Sequence, residues 1–371
     1  MKKRVLSLII ALVVSVTGLA GCGRKEQAEQ QTNEATQTSD EETEKTEAPD
    51  GSEAEQGTSA GAENWEYYEL RCGTNMVEGH PATIELERLA EMVAEATDGH
   101  VTITIYPGEA LGKESELVSM VMEGTLDMTT CGDGTLASYG VEALSIFEAP
   151  YVFADAENLV AFANSEEAKT RLWDVLAEKT NLRVVDTAYY GSRHVTTNKY
   201  AATSPAEFSG CKLRAPDSDM AMRYVEALGA TPTVMALSEV YLALQQGAVD
   251  GQENPLTTID NWALYEVCDN LILTGHVQAG LALIFSDELW QSFPEDLREV
   301  LNGCIRECWE EGMSELVSDQ EKELLTAMET EHGMNVIEVD KEAFRENAQS
   351  IYDDYAEIWG DLKSIAESYA R

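Results

Sequence analysis

The chain has 371 residues, with 68 Asp or Glu against 25 Lys or Arg, and a formal net charge of −43. No basic stripe interrupts that charge, which excludes a nucleic-acid-binding surface. Hydrophobic residues make up 44% of the sequence, and the roughly 300 residues after position 64 suffice for two lobes of ordinary domain size.

Met1-Lys2-Lys3-Arg4 precede an apolar run from Val5 to Leu19, interrupted only by Ser7, Ser15, Thr17 and Gly18. A charged start and a short apolar core describe a secretory signal rather than a membrane span. The break point Leu19-Ala20-Gly21-Cys22 resembles the bacterial lipobox, in which the cysteine is lipidated and becomes the mature N-terminus. Residues 1–21 then form a lipoprotein signal peptide; the alternative is an ordinary signal peptide with a chance cysteine. Between Gly23 and Asn64 stand 12 acidic and 3 basic residues and no aromatic one. Such a segment cannot bury enough apolar surface to offset its ordering entropy, so 22–64 reads as a disordered acidic tether. Gly57-Thr58-Ser59-Ala60-Gly61 matches the G-x-S-x-G nucleophile pattern but lacks the strand and helix that motif needs.

From Trp65 onward, Tyr68 to Thr74 reads as a strand, and Pro81 opens a helix to about Thr97 with Ile84, Leu89, Val93 and Ala96 inward. Val101, Ile103 and Ile105 alternate as a strand that ends at Pro107-Gly108. A helix over Glu114 to Glu123, with Leu117 and Val121 inward, leads to a strand from Leu126 to Thr130. This rhythm predicts a parallel, doubly wound sheet. It repeats: helix from Ala156 to Thr180, strand from Leu182 to Tyr189, strand over Lys212 to Ala215, helix from Ser218 to Leu228. Pro232 to Ala236 is extended, Ser238 to Gln246 helical, and Gly251 to Pro255 a turn. Pro294 to about Glu331 is helical almost without a breaker, and Ala343 to Ala370 forms a final amphipathic helical region. The fold class is α/β with two lobes, and a helix as long as the 294–331 stretch spans both.

Besides Cys22 there are Cys72, Cys131, Cys211, Cys268, Cys304 and Cys308, with no C-x-x-C and no zinc-like pairing with His. A protein of this size does not need disulfides, so mostly free, buried thiols are expected. Gly132-Asp133-Gly134-Thr135-Leu136-Ala137 imitates a dinucleotide fingerprint, but that motif belongs after the first strand, not the third. With no phosphate loop, H-E-x-x-H or clustered dyad present, neither cofactor nor metal is expected, and a secreted nucleotide-dependent enzyme is the weaker alternative.

Two α/β lobes without a cofactor motif suggest a clam-shell with a ligand in its cleft, outside the carboxyl ends of the strands. Arg193, Arg214 and Asn254 fall at or just after predicted strand ends. Arginine grips a carboxylate in a planar, two-point fashion, which an acidic chain has no other reason to place there. Arg214 precedes Ala215-Pro216, and a pre-proline backbone is held extended. A structural ion pair with a nearby acid is the competing reading of Arg214.

The run from Ser238 through Asp250-Gly251-Gln252-Glu253-Asn254-Pro255 to Leu256 is similar to the signature of the TRAP-transporter solute-binding proteins, the DctP family. So are Gly210-Cys211-Lys212-Leu213-Arg214-Ala215-Pro216, Leu111-Gly112, Gly124-x-x-Asp127, Ala149-Pro150-Tyr151-Val152-Phe153 and Leu273-Thr274-Gly275-His276. The resemblance implies a two-lobed periplasmic-binding-protein-like fold with hinge strands and a long helix shared by both lobes. The expected division is 65–190 plus 280–318 for lobe I, and 191–279 plus 319–371 for lobe II. It also implies a lipoprotein that captures a small organic acid and delivers it to an ion-gradient-driven permease of a small and a large membrane subunit. The alternative is the same fold serving as a sensor for a membrane receptor.

In the family pattern Arg214 takes the place of the main carboxylate clamp, Arg193 that of its helper, Asn254 that of a third ligand and Asn75 that of a fourth. His80 has two readings, a cleft contact or a cap of the helix at Pro81. Tyr190 is read either as a ligand contact or as a structural residue, and Asp217 either as a hydroxyl acceptor or as a cap of the helix near Ser218. Glu239 reads as a cap, and His276 as a hinge or core residue. The sialic-acid-binding branch has a glutamate where this chain has Gly132, an aromatic at Leu237 and an asparagine at Asp217. These departures favour a smaller sugar acid, such as a hexuronate or aldonate, or a plain carboxylic acid.

Overall fold

The structure, a computed structural model, describes residues 65–370. The expected signal peptide, Cys22, the tether and the Gly57–Gly61 motif lie outside the described residues.

The described chain builds one nine-stranded sheet in the order β2-β1-β3-β8-β4-β7-β5-β6, with β9 paired to β8. The strands are β1 (Tyr68–Gly73), β2 (Val101–Tyr106), β3 (Met128–Gly132), β4 (Leu182–Thr197), β5 (Lys212–Ala215), β6 (Thr231–Val234), β7 (Gly251–Pro255), β8 (Asn270–Ser286) and β9 (Asn335–Ile337). β1 pairs in parallel with β2 and β3, and β5 with β6 and β7, as helical crossovers require. The sheet as a whole is mixed, because β8 runs antiparallel to both β3 and β4, and β7 antiparallel to β4. The expected all-parallel sheet is therefore corrected. Of this antiparallel pair the sequence showed only the first half of β4, Leu182 to Tyr189; its continuation to Thr197 and the whole of β8 run on through the middle of the molecule.

That pair organises the fold. Leu182 of β4 faces Ser286 of β8, and Thr197 faces Asn270 at the other end. One end carries β1, β2 and β3; the other carries β5, β6, β7 and β9. The register slips at three places, between Val184 and Asp186, Tyr189 and Gly191, and Arg193 and Val195. Gly191 has φ +131°, and a Cβ there would come within 2.6 Å of Pro255 Cβ, so this slip and the close approach of β7 need glycine.

Helix Pro81–Ala96 buries Leu86, Leu89 and Val93, while Ile84 is exposed at 39%, so the inward stripe runs through Leu86 rather than Ile84. The helical run begins at Glu295–Ile305, widens to a π-helical stretch at Arg306–Met313 and continues as Ser314–Thr330. It packs first on Pro81–Ala96, then on β4, then on Leu256–Asn261 and β9, so it lies along both ends of the sheet. The final region is two helices, Lys341–Trp359 and Leu362–Ser368, and the latter packs on Ala156–Ala163. Gly251–Pro255, read as a turn, is a fully buried strand. All six described cysteines are free and buried. No helix among the described residues is long and apolar enough to cross a membrane.

The first register slip in β4 leaves Asp186 nearly buried beside a cavity of about 230 Å³ shared with Trp173, Trp290, Arg306 and Glu310. Burial, reinforced by the Glu310 carboxylate, pushes Asp186 up to about 7. An unfolded Asp titrates near 4. Stability contributed by this group is therefore fully present below about pH 4 and is lost as pH rises through 7. Asp186→Asn should flatten that part of the profile of unfolding midpoint against pH. A profile with the same slope in both proteins would show that Asp186 carries no such load.

Candidate ligand-binding site

Between the two ends of the sheet lies a cavity of about 390 Å³. Its walls come from the segment after β1 (Asn75, Met76), from Lys113 and Glu114, from β3 and the turn after it (Gly132 to Thr135), and from Glu148. The other side is made by Tyr190, Arg193, Arg214, Asp217, Leu237, Glu239, Asn254 and the β8 residues Val277, Ala279, Gly280 and Leu281. Arg214, Arg193, Asn254, Asn75, Tyr190 and Asp217 thus meet in one cavity, and so do Gly132 and Leu237. His80 does not line it.

Arg193 and Arg214 differ in how they are held. Arg193 donates from Nε to Glu253 Oε2 at 2.5 Å and from Nη2 to Glu253 Oε1 at 2.8 Å, to the Glu253 carbonyl at 2.9 Å and to Asn254 Oδ1 at 3.0 Å. Arg193 is 9% exposed and Glu253 fully buried. Burial works against both charges, but each outweighs that cost for the other: Arg193 is held well above its ordinary value and Glu253 is pulled down to about 2. Tyr224 Oη donates to Glu253 at 3.0 Å, and His276 Nε2 lies 3.3 Å from it, with Nδ1 2.9 Å from Thr274 Oγ1. His276 is a core residue that braces the pair.

Arg214, on β5, is 5% exposed. Its Nε donates to the Met235 carbonyl at 3.0 Å, and its terminal nitrogens have no hydrogen-bond partner among the described residues. No carboxylate there comes within 4.0 Å of it. Burial, followed by repulsion from Arg193, outweighs the attraction of Glu253 and Glu114 and lowers its proton affinity. The competing reading of Arg214, a structural ion pair, is not what the structure contains.

The lesser candidates separate cleanly. Asn254 lines the cavity, but its amide is engaged, accepting from Arg193 and donating to Gln252 Oε1 at 2.5 Å. Asn75 donates to Glu114 at 3.1 Å, and its Oδ1 is buried without a partner. The Tyr190 hydroxyl is 2.6 Å from Thr258 Oγ1. His80 is fully buried and caps helix Pro81–Ala96, its Nδ1 accepting from Ala82 N at 3.1 Å; burial pushes it down to about 3, so the ring is neutral. Its assignment as a ligand contact is thereby corrected. Ser218, not Asp217, caps helix Asp219–Ala227. Glu239 accepts from Ala236 N at 3.0 Å and also from Lys113 Nζ at 3.1 Å, an ion pair between a residue at the β1–β3 end of the molecule and one at the β5–β7 end.

Sequence reasoning missed three acids of the cavity. Glu114, Asp133 and Glu148 all line it, and burial raises all three carboxyls above the usual range, Asp133 most of all. Glu148 accepts from Thr135 Oγ1 at 3.0 Å and from Ser218 Oγ; Glu114 accepts from Asn75 and, at 3.6 Å, from Cys131 Sγ. Only the imitation fingerprint around Asp133 marked this stretch in the sequence, and there β3 is followed by a 3-10 helix, Gly134–Tyr139. Among the described residues no group of three or more His, Cys, Asp or Glu is placed to hold a metal ion.

A mixed sheet with two ends joined by crossing strands, and a polar cavity between them, defines a solute-binding protein. Residues 72–358 match the family DctP, described as bacterial extracellular solute-binding protein, family 7. The chain is 32% identical over 286 residues to the sialic acid-binding periplasmic protein SiaP of Vibrio cholerae, covering 77% of this chain and 88% of that one. It is similar in structure to a TRAP periplasmic solute-binding protein of Polaromonas sp. JS666 bound to D-erythronate, with TM-score 0.77, 26% identity and coverage of 82% and 99%. It is similar also to one of Roseobacter denitrificans with bound L-galactonate, with TM-score 0.75, 28% identity and coverage of 83% and 100%. The chain belongs to the DctP family of extracytoplasmic TRAP solute-binding proteins.

The Arg193–Glu253 pair yields a direct expectation. Glu253→Leu leaves a buried guanidinium without its carboxylate and should cost roughly 3–5 kcal/mol of folding stability. Urea unfolding measures it; a loss below about 1 kcal/mol would show that Arg193 finds water or another acid instead.

Proposed function

We propose that this protein captures a small organic acid, of the sugar-acid kind, in the cavity between the two ends of its sheet and delivers it to a TRAP permease of a small and a large membrane subunit. The observation that carries the reading is Arg214: a guanidinium that is 5% exposed, lines the cavity and has no acid within ion-pairing distance. A buried charge left unpaired is costly, so the site is built for an anion that comes and goes. Arg214 is the clamp. Arg193, held in place by Glu253, stands beside it as helper, and Asn75, Tyr190, Asp217 and Asn254 supply polar walls. The relatives bound to D-erythronate and L-galactonate support the ligand class.

Residues 65–190 plus 280–318 serve as one lobe and 191–279 plus 319–371 as the other, with β4 and β8 between them. A ligand carboxylate that contacts groups from both lobes favours the closed arrangement, which is how binding is signalled to a permease. The lipobox at Leu19–Cys22 anchors the protein to the outer face of the cell membrane through lipidated Cys22, and the acidic residues 22–64 tether it there.

The two arginines test the reading against each other. Arg214→Ala should abolish binding of the acid, by at least about 100-fold, while leaving the unfolding midpoint of the unliganded protein unchanged or raised, because an uncompensated buried charge is removed. Titration calorimetry with the ligand found in a thermal-shift screen of sugar acids, dicarboxylates and keto acids measures the first. Affinity retained to within tenfold in Arg214→Ala would overturn the assignment.

A further inference from the structure

We propose that Asp133 and Glu148 are the specificity-determining residues of the cavity: they read hydroxyl groups on a ligand held by Arg214 and turn away any acid with a second carboxylate. This rests on the preceding reading of the cavity as an organic-acid site and concerns the part of the ligand that the arginines do not touch.

Asp133 is 1% exposed and lines the cavity, yet its Oδ2 has no hydrogen-bond partner. Its Oδ1 is met by Thr187 Oγ1 alone, at 3.5 Å. Oδ2 lies over Gly280 of β8, another residue of the cavity wall, where a Cβ would come within 2.1 Å of it. Glycine at 280 thus leaves room for an oxygen that has nothing of the protein to bond. Asn75 Oδ1, in the same wall, is likewise buried and unpartnered. Leaving such groups unsatisfied is costly unless something else fills them. Glu148 is fixed from two sides, by Thr135 and by the helix-capping Ser218, so its carboxyl is presented in one orientation.

The balance of charge decides what fills the space. Arg193 is committed to Glu253 and Lys113 to Glu239, so Arg214 is the cation of the cavity wall with no acid within ion-pairing distance, and it answers one ligand carboxylate. Against it stand Glu114, Asp133 and Glu148. A second carboxylate on the ligand would find no unpaired cation in the wall and would lie beside three acids, where like charges cannot all ionise. Burial favours the protonated form of each of these acids. A protonated carboxyl both donates and accepts, which complements a hydroxyl, itself a donor and an acceptor. The class that fits is a polyhydroxylated acid with one carboxylate.

The test is calorimetric titration of the full chain with three classes of acid of equal chain length. They are a panel of aldonate stereoisomers, the corresponding aldarates, whose far end is a second carboxylate, and the fatty acid without hydroxyls. The best aldonate should bind at least about tenfold more tightly than its aldarate and than the fatty acid. Asp133→Leu and Glu148→Leu should each weaken the aldonate more than tenfold and narrow its lead over the fatty acid, while Asp133→Asn, which still hydrogen-bonds, should recover most of the loss. The comparison on the parent protein involves no variant and so decides even where a leucine variant fails to fold. An aldarate bound as tightly as the aldonate, with both lost in Arg214→Ala, would overturn this proposal and leave the organic-acid reading standing. No acid bound at all would remove the organic-acid reading and this proposal with it.

Discussion

The ion pair between Arg193 and Glu253 is the interaction on which the rest of the site depends. It lies where β4 and β7 meet, and both partners are all but removed from solvent. Such a pair is stable only if every remaining lone pair and proton is met. Here Tyr224, His276 and Asn254 meet them, and Thr274 fixes the His276 ring in turn. The outcome is a rigid, neutral unit in the floor of the cavity. Without it, two guanidinium groups would face each other with no carboxylate between them, and neither would stay buried. With it, one arginine is satisfied and the second is left to act.

The same pair explains why β7 escaped sequence reading. Gly251-Gln252-Glu253-Asn254-Pro255 has the composition of a turn, and strands between two others are expected to be apolar. All five residues are buried nonetheless, because Gln252 bonds Thr196, Glu253 bonds Arg193 and Asn254 bonds Gln252. Polar side chains replace an apolar face when each has a partner, and partners cannot be read from one strand. β8 was missed for a related reason. It is buried on both faces, so it shows no alternation, and Gly275 and Gly280 look like breaks in it. The shorter strand β5 was legible because a pre-proline residue is extended by local sterics alone.

The candidate site divides along the same line. Arg193, Arg214 and Asn254 were marked by ordered motifs that read as strand ends and turns, although the structure places them within β4, β5 and β7. Glu114 sits in the first turn of its helix and Glu148 at the end of a 3-10 segment, positions where an acid is unremarkable. Their meeting in one cavity is a property of the sheet order, which brings β3 and β5 to opposite sides of β4 and β8. His80 shows the converse. Its place between the first strand and the first helix suggested the cleft, but the ring is buried outside the cavity and its Nδ1 caps the helix N-terminus.

The crossing strands β4 and β8 have a mechanical consequence. They are hydrogen-bonded from Leu182–Ser286 to Thr197–Asn270, and two of the three slips in their register fall at Gly191 and Arg193. Any rotation of one end of the sheet against the other displaces an atom in proportion to its distance from that strip. Arg193 sits on the strip, whereas Lys113 and Glu239 belong to helical segments off it. The strip is therefore a fulcrum with Arg193 near its axis, and the outer walls are the lever arms. A small twist at the fulcrum leaves Arg193 almost where it was while carrying the cavity's rim through a much larger arc.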